Sequence, residues 1–266
     1  MLTKYDNIGT GYNSTRKADP YLTEKLFSLL RPQRNKMYLD VGCGTGNYAC
    51  ALAGKGFHFT GVDPSEKMLS EAKAQNENIT WLLGTAEQIP TEDSLFDGVI
   101  ATLTIHHWKN LKQAFAELNR VLAHSGRIVI FTSTPEQMNG YWLNHYFPKM
   151  LRTSIAQMPS LEDLEEAMLE TGFKINKVEK YFVKDDLQDW FLYAGKNNPE
   201  YYFDEHIRHG ISSFSSLANI EEVNEGLVKL KIDLENGIFE KIKNKFENEL
   251  GDYLFVTMDR KNNIDL

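Results

Sequence analysis

Met37-Tyr38-Leu39-Asp40-Val41-Gly42-Cys43-Gly44-Thr45-Gly46 is the stretch that decides the fold. Its first half predicts a short strand with an acid near the end, and its second half a glycine-rich loop. A helix is expected from Gly46 to about Lys55. Glycine lets a backbone turn sharply and come close to a ligand. Set between a strand and a helix, such a loop builds a nucleotide-type site at the switch point of a doubly wound sheet. Spacing narrows the ligand. A dinucleotide fingerprint, G-x-G-x-x-G, would need glycine where this chain has Asn47, which disfavours a nicotinamide oxidoreductase. The chain also lacks the G-x-x-x-x-G-K-[ST] loop that cradles a triphosphate.

Outward from this loop, strands and helices alternate. Asp19-Pro20 caps and opens a helix that carries Leu22, Leu26, Leu29 and Leu30 on one face. Phe57–Val62, Ile79–Leu83, Phe96–Thr102 and Arg127–Thr132 predict strands. Asp63-Pro64 opens a helix to about Gln75, and another spans about Asn110 to Leu122. Alternation of this kind predicts an α/β fold with a doubly wound, mostly parallel sheet covered on both faces. Further on, Ser160-Leu161-Glu162-Asp163 reads as a capping box whose helix ends near Gly172. Lys174–Val183 and Asp252–Met258 are strand candidates, the second an antiparallel last strand. The expected organisation is a ligand-binding core with an N-terminal lid (1–133), a cap insertion (134–159), and a core helix and strand (160–184). A helical cap insertion (185–250) and the final strand with the C-terminus (251–266) complete it.

Composition excludes other classes. The 266 residues include 37 acidic and 29 basic ones, a formal net charge of −8, whereas a surface that tracks phosphates wants the opposite sign. No nucleic-acid partner is therefore expected. No apolar run approaches the ~18 residues of a membrane helix, so no membrane partner is expected either. Met1-Leu2-Thr3-Lys4-Tyr5-Asp6 lacks the apolar core of a signal peptide, and two cysteines make no disulfide framework. A cytoplasmic setting is the expectation. Cys43 and Cys50 do not have zinc-knuckle spacing, and no metal site is expected.

Several residues suit a binding site. Asp63 ends the second strand, where its carboxylate could accept both hydroxyls of a ribose or cap the next helix. His106 and His107 follow the fourth strand, and an imidazole suits general-base work near neutrality. Aromatics reach 12% of the chain. Tyr141, Trp142 and Tyr146 are candidates for the wall of an acceptor pocket, with the cap's own core as the alternative.

Taken in order, these motifs resemble the class I S-adenosylmethionine-dependent methyltransferases, most closely the small-molecule type that includes ubiquinone and menaquinone methyltransferases. The resemblance runs from about Tyr5 to Thr132 and weakens beyond. It implies S-adenosylmethionine as cofactor, with Asp40, Gly42, Gly44 and Gly46 around its methionine part. It further implies ribose binding by Asp63, with Pro64 beside it, and packing of Met68 on the adenine. In Gly84-Thr85-Ala86-Glu87 the family usually has Asp-Ala-Glu; here Thr85 replaces the Asp, and its hydroxyl takes the adenine amino group more weakly. Thr102 and Leu103 match the strand end beside the sulfonium. Tyr12 and Arg16 match a mobile lid, where Tyr12 would cover the sulfonium and Arg16 would pair with the cofactor carboxylate. The implied reaction is in-line methyl transfer to a small, aromatic or hydrophobic acceptor. Action on protein or RNA, or a noncatalytic binding role, stays open. The sequence sets no oligomeric state.

Overall fold

The computed structural model describes residues 15–261. β1 (Met37–Val41), β2 (His58–Asp63), β3 (Thr80–Leu83), β4 (Phe96–Thr102) and β5 (Leu122–Thr132) run parallel. β6 (Phe173–Tyr181) and β7 (Tyr253–Arg260) complete one sheet in the order β3-β2-β1-β4-β5-β7-β6. β7 lies antiparallel between β5 and β6. Central strands carry continuous apolar runs: Val99, Ile100 and Ala101, and Ile128 to Phe131, are fully buried. Parallel strands covered on both faces require this. Strand order reverses between β1 and β4, so a crevice opens at the carboxyl ends of those two strands.

Several helices begin at a side chain that caps them. In α1 (Pro20–Leu30) the Asp19 carboxylate accepts the Leu22 N–H at 2.9 Å. α2 (Asn47–Ala53) follows the glycine loop. α3 (Glu66–Gln75) is capped by Ser65, whose hydroxyl accepts the Met68 N–H, so Asp63 is not its cap. α4 (Leu111–Val121), capped by Asn110, buries Ala114, Phe115, Leu118 and Val121 and runs without a break into β5. That strand therefore starts at Leu122 rather than at the expected Arg127, with a register shift after the Phe96–Leu122 pair.

Two insertions build the cap. The first carries α5 (Pro135–Asn139), α6 (Leu143–Tyr146) and α7 (Pro148–Ile155). α8 (Leu161–Glu170) then returns to the sheet through the expected capping box of Ser160 and Asp163. The second lies between β6 and β7 and holds α9 (Glu205–His209), α10 (Ser212–Ser216), α11 (Ile220–Glu235) and α12 (Phe239–Lys243). A mostly helical stretch was expected from Asp185 to Leu250; helices fill it from Pro199 on, while 185–198 contains turns and no helix. Amide groups there bond to other elements instead: Gln188 N–H to the Asp19 carboxylate and Trp190 N–H to the Thr15 carbonyl. Glu222 of α11 accepts the N–H groups of Lys149 and Met150 at 2.6 and 3.1 Å, capping α7 and locking the two insertions together. Among the described residues no helix is long and apolar enough to cross a membrane.

Candidate active site

One cavity opens at the carboxyl ends of β1, β2 and β4 and runs under the cap. The glycines of the first loop do three different things. Gly42, at φ +69°, lets the turn after β4 press in, since a Cβ there would lie 1.9 Å from Thr104 Oγ1. Gly44, at φ +54°, faces the cavity, and an added Cβ would meet nothing within 4 Å. Gly46 caps α2 and packs on Trp81, whose ring an added Cβ would meet at 2.3 Å. Gly46, expected at the cofactor, is thus a packing residue that does not line the cavity, whereas Gly42 and Gly44 do.

Around this loop the wall is acidic. The Asp63 carboxylate accepts the Gly44 N–H through Oδ2 and the Ser65 N–H through Oδ1, both at 2.9 Å. Burial, and secondly repulsion from Asp63, push the Asp40 carboxyl up to about 7 against a weaker opposing bond from Ala49. Pro64, Met68, Thr85 and Ala86 join the same wall. Two hydroxyls on it, Thr45 Oγ1 and Thr102 Oγ1, are buried without a hydrogen-bond partner among the described residues. Burying such a group unpaired costs about 1–3 kcal/mol.

Glu87 also lines the cavity, but its Oε1 accepts the main-chain N–H of Lys109 at 2.5 Å and of Asn110 at 3.3 Å. It braces the entry to α4. At the end of β4, Leu103 takes φ +52°, a left-handed conformation that costs a branched residue about 1–2 kcal/mol. Its N–H is held by the Phe131 carbonyl at 2.8 Å, and a 3-10 turn, Ile105–His107, follows. His106 and His107 both line the cavity with ring centroids 3.9 Å apart.

The outer wall comes from the cap: Met138, Ser154, Met158, Phe191, Leu192, Ile211, Ser213 and Leu217. It is apolar apart from neutral hydroxyls and amides; the Ser154 and Ser213 hydroxyls pair at 2.8 Å. The one acid that the insertions contribute, Asp189, is ion-paired to Arg16 at 2.5 Å. The sequence gives no sign of Asp189, an isolated acid beside aromatics in a stretch without period.

Tyr141, Trp142 and Tyr146, expected on the acceptor wall, are 1%, 0% and 3% exposed and do not line the cavity. Tyr141 stacks on Tyr193 at 3.9 Å and donates to the Asp252 carbonyl at 2.5 Å. Trp142 Nε1 donates to the Lys196 carbonyl at 3.0 Å, and the Tyr146 hydroxyl to Asp233 at 3.1 Å. Each polar tip is satisfied inside the cap, so these residues are its core. Tyr12 lies outside the described residues.

A methyltransferase-domain family model matches residues 39–130, from β1 into β5. A solved structure from Anabaena variabilis, provisionally described as a methyltransferase from an antibiotic biosynthesis pathway, is 32% identical. It superposes with a TM-score of 0.82 over 91% of this chain and 98% of that one. An uncharacterized methyltransferase of Mycobacterium bovis is 30% identical over 51% of this chain and 55% of its own length. A demethylmenaquinone methyltransferase of Staphylococcus aureus is 32% identical over 51% of this chain and 66% of its own. The chain thus spans about half the length of the mycobacterial relative, 55%, and nearly all of the cyanobacterial one, 98%. The glycine loop and the acid that ends β2 lie within the matched residues, and the chain belongs to the class I S-adenosylmethionine-dependent methyltransferases.

Proposed function

We propose that the cavity takes S-adenosylmethionine along Gly42, Gly44, Asp63, Met68 and Thr85, and that the enzyme methylates a small, neutral, largely apolar acceptor lying against the cap wall. The protein's own residues fit the donor. Gly44 leaves open space where a ligand would lie, and the orphaned hydroxyls of Thr45 and Thr102 lack partners that a ligand could supply. Asp40 and Asp63 suit a cationic molecule. When bound, the donor supplies a methyl group activated by the sulfonium for in-line displacement by the acceptor's nucleophile.

The chain's part is alignment. Holding two reactants in attack geometry is worth up to about 7–11 kcal/mol. The left-handed Leu103 and the turn after it set the floor between donor and acceptor. The cap excludes water, which strengthens every charge interaction within. For an oxygen acceptor, His106 or His107 would take the proton.

Apart from Asp189, which is ion-paired to Arg16, the cap wall carries no charge, and this supports the acceptor class. A carboxylate or phosphate buried there would have no counter-charge from the apolar side chains and hydroxyls, a costly arrangement. The ring acceptor in the name of the staphylococcal relative agrees with this class. Transfer from methyl-labelled donor to a panel of neutral phenols and quinols, each beside its carboxylated counterpart, tests the reading. Neutral members should be labelled, and His106→Ala or His107→Ala should slow labelling of hydroxyls by about 10²–10⁴-fold. Labelling of charged members alone would overturn it.

A further inference from the structure

Asp189 is a carboxylate buried on the cavity wall, 1% exposed. Its Oδ1 meets Arg16 Nε at 2.5 Å, and its Oδ2 accepts the Tyr48 hydroxyl at 3.0 Å. Burial first, then Asp189 itself, push the Tyr48 phenol well above its ordinary range, so it stays a donor. Arg16 and Tyr48 line the same cavity. The backbone on both sides is laced together. Gln188 N–H donates to Asp19 at 2.9 Å, Trp190 N–H to the Thr15 carbonyl at 3.1 Å, and Asn47 Nδ2 to the Arg16 carbonyl at 2.8 Å.

This is more polar machinery than docking needs. A buried ion pair is rarely the most stable filling for a site, whereas it does fix geometry. Among the described lining residues only Arg16 and Lys109 are lysine or arginine, and Arg16 is the one held by a buried acid. A guanidinium carries five N–H donors in a planar fork and can bridge two carboxylates.

We propose that Asp189 is a positioning residue that sets the Arg16 guanidinium for a carboxylate on the ligand, the amino-acid end of the donor. The proposal rests on the donor reading above. With Asp189 in place, the long arginine side chain is ordered before the ligand arrives; without it, binding has to order that side chain.

The test uses two ligands that share a nucleoside and a sulfur. S-adenosylhomocysteine has the amino-acid end, and 5′-methylthioadenosine lacks it. Calorimetry on the full chain compares wild type with Asp189→Asn, a near-isosteric change that keeps an acceptor for Tyr48. Asp189→Asn should weaken S-adenosylhomocysteine roughly three- to tenfold, the scale for immobilising one flexible side chain, and leave methylthioadenosine unchanged. In an Arg16→Met background the same change should cost nothing further. Should Asp189→Asn weaken both ligands alike, or neither, Asp189 is a structural link only and the proposal is wrong. If wild type binds neither ligand, the donor reading itself falls and takes the proposal with it.

Discussion

Asp40 ties the stability of the fold to pH in a way that can be worked from the structure. Its carboxyl, 2% exposed at the end of β1, is pushed from an ordinary 3.8 up to about 7, chiefly by burial and then by Asp63. The sign follows from linkage. The native state holds this proton to higher pH than the unfolded state does. Asp40's contribution is therefore fully present below 3.8 and is lost as pH rises to about 7. At about 1.4 kcal/mol for each pH unit, the interval caps the loss at about 4 kcal/mol. Asp40→Asn removes the titration while keeping shape and an acceptor for the Ala49 N–H. Urea unfolding of both proteins from pH 5 to pH 8.5 is the assay, read as the difference in unfolding free energy. Taking the difference cancels groups such as Glu117, which its bond to Arg120 holds low and which acts in the opposite direction. The variant should gain on wild type steadily up to about pH 7, by about 2–3 kcal/mol over this range, and then level off. A difference independent of pH would refute both the buried-carboxyl assignment and the repulsion by Asp63.

Other perturbations separate binding from folding. Asp63→Ala should weaken S-adenosylhomocysteine by about 1.5–3 kcal/mol, the range for a hydrogen bond to a charged group, as calorimetry would show. Trp142→Ala should cost about 3–5 kcal/mol of stability, measured by denaturant melting, with ligand affinity unchanged while the variant stays folded. That outcome would separate a core role from the acceptor role its residue type suggests. Gly42→Ala should lower the melting temperature, because its Cβ would lie 1.9 Å from Thr104 Oγ1, and Thr104→Ala should restore part of the loss. Donor affinity should rise from pH 6 to pH 8 with release of a proton, since a cation in the site favours ionised Asp40, and calorimetry in buffers of different ionisation heat would detect it.

Much of the cavity wall around the glycine loop was legible in the sequence because its signals are local. Glycines at fixed spacing after a short apolar strand, an acid at the end of the next, and capping residues such as Asp19 and Ser160 all act within a few residues of themselves. What escaped depends on distant partners. Gly46 has the same sequence context as Gly44, yet Trp81 of β3 fills the space beside it. Glu87 lines the cavity, but two amides at the start of α4 claim its carboxylate. Tyr141, Trp142 and Tyr146 have a composition that suits a pocket wall or a core equally, and only the fold distinguishes the two. Within the mostly helical stretch expected from Asp185 to Leu250, residues 185–198 are not helical for a related reason: the Gln188 and Trp190 amides bond to Asp19 and Thr15 across the molecule. The missing break between α4 and β5 left no Gly or Pro to mark where the strand begins.

Titration of S-adenosylhomocysteine into wild type and Gly44→Val tests the donor site most directly. Gly44 is the glycine of the loop that faces the cavity with nothing within 4 Å of an added Cβ. A branched side chain there would occupy the ligand's space, at a folding cost of about 1–2 kcal/mol for its left-handed backbone. Saturable one-site binding by wild type, with none by a folded Gly44→Val of slightly lower melting temperature, is the expected result. Equal binding by both proteins, or none by wild type, would contradict a donor site built on the glycine loop.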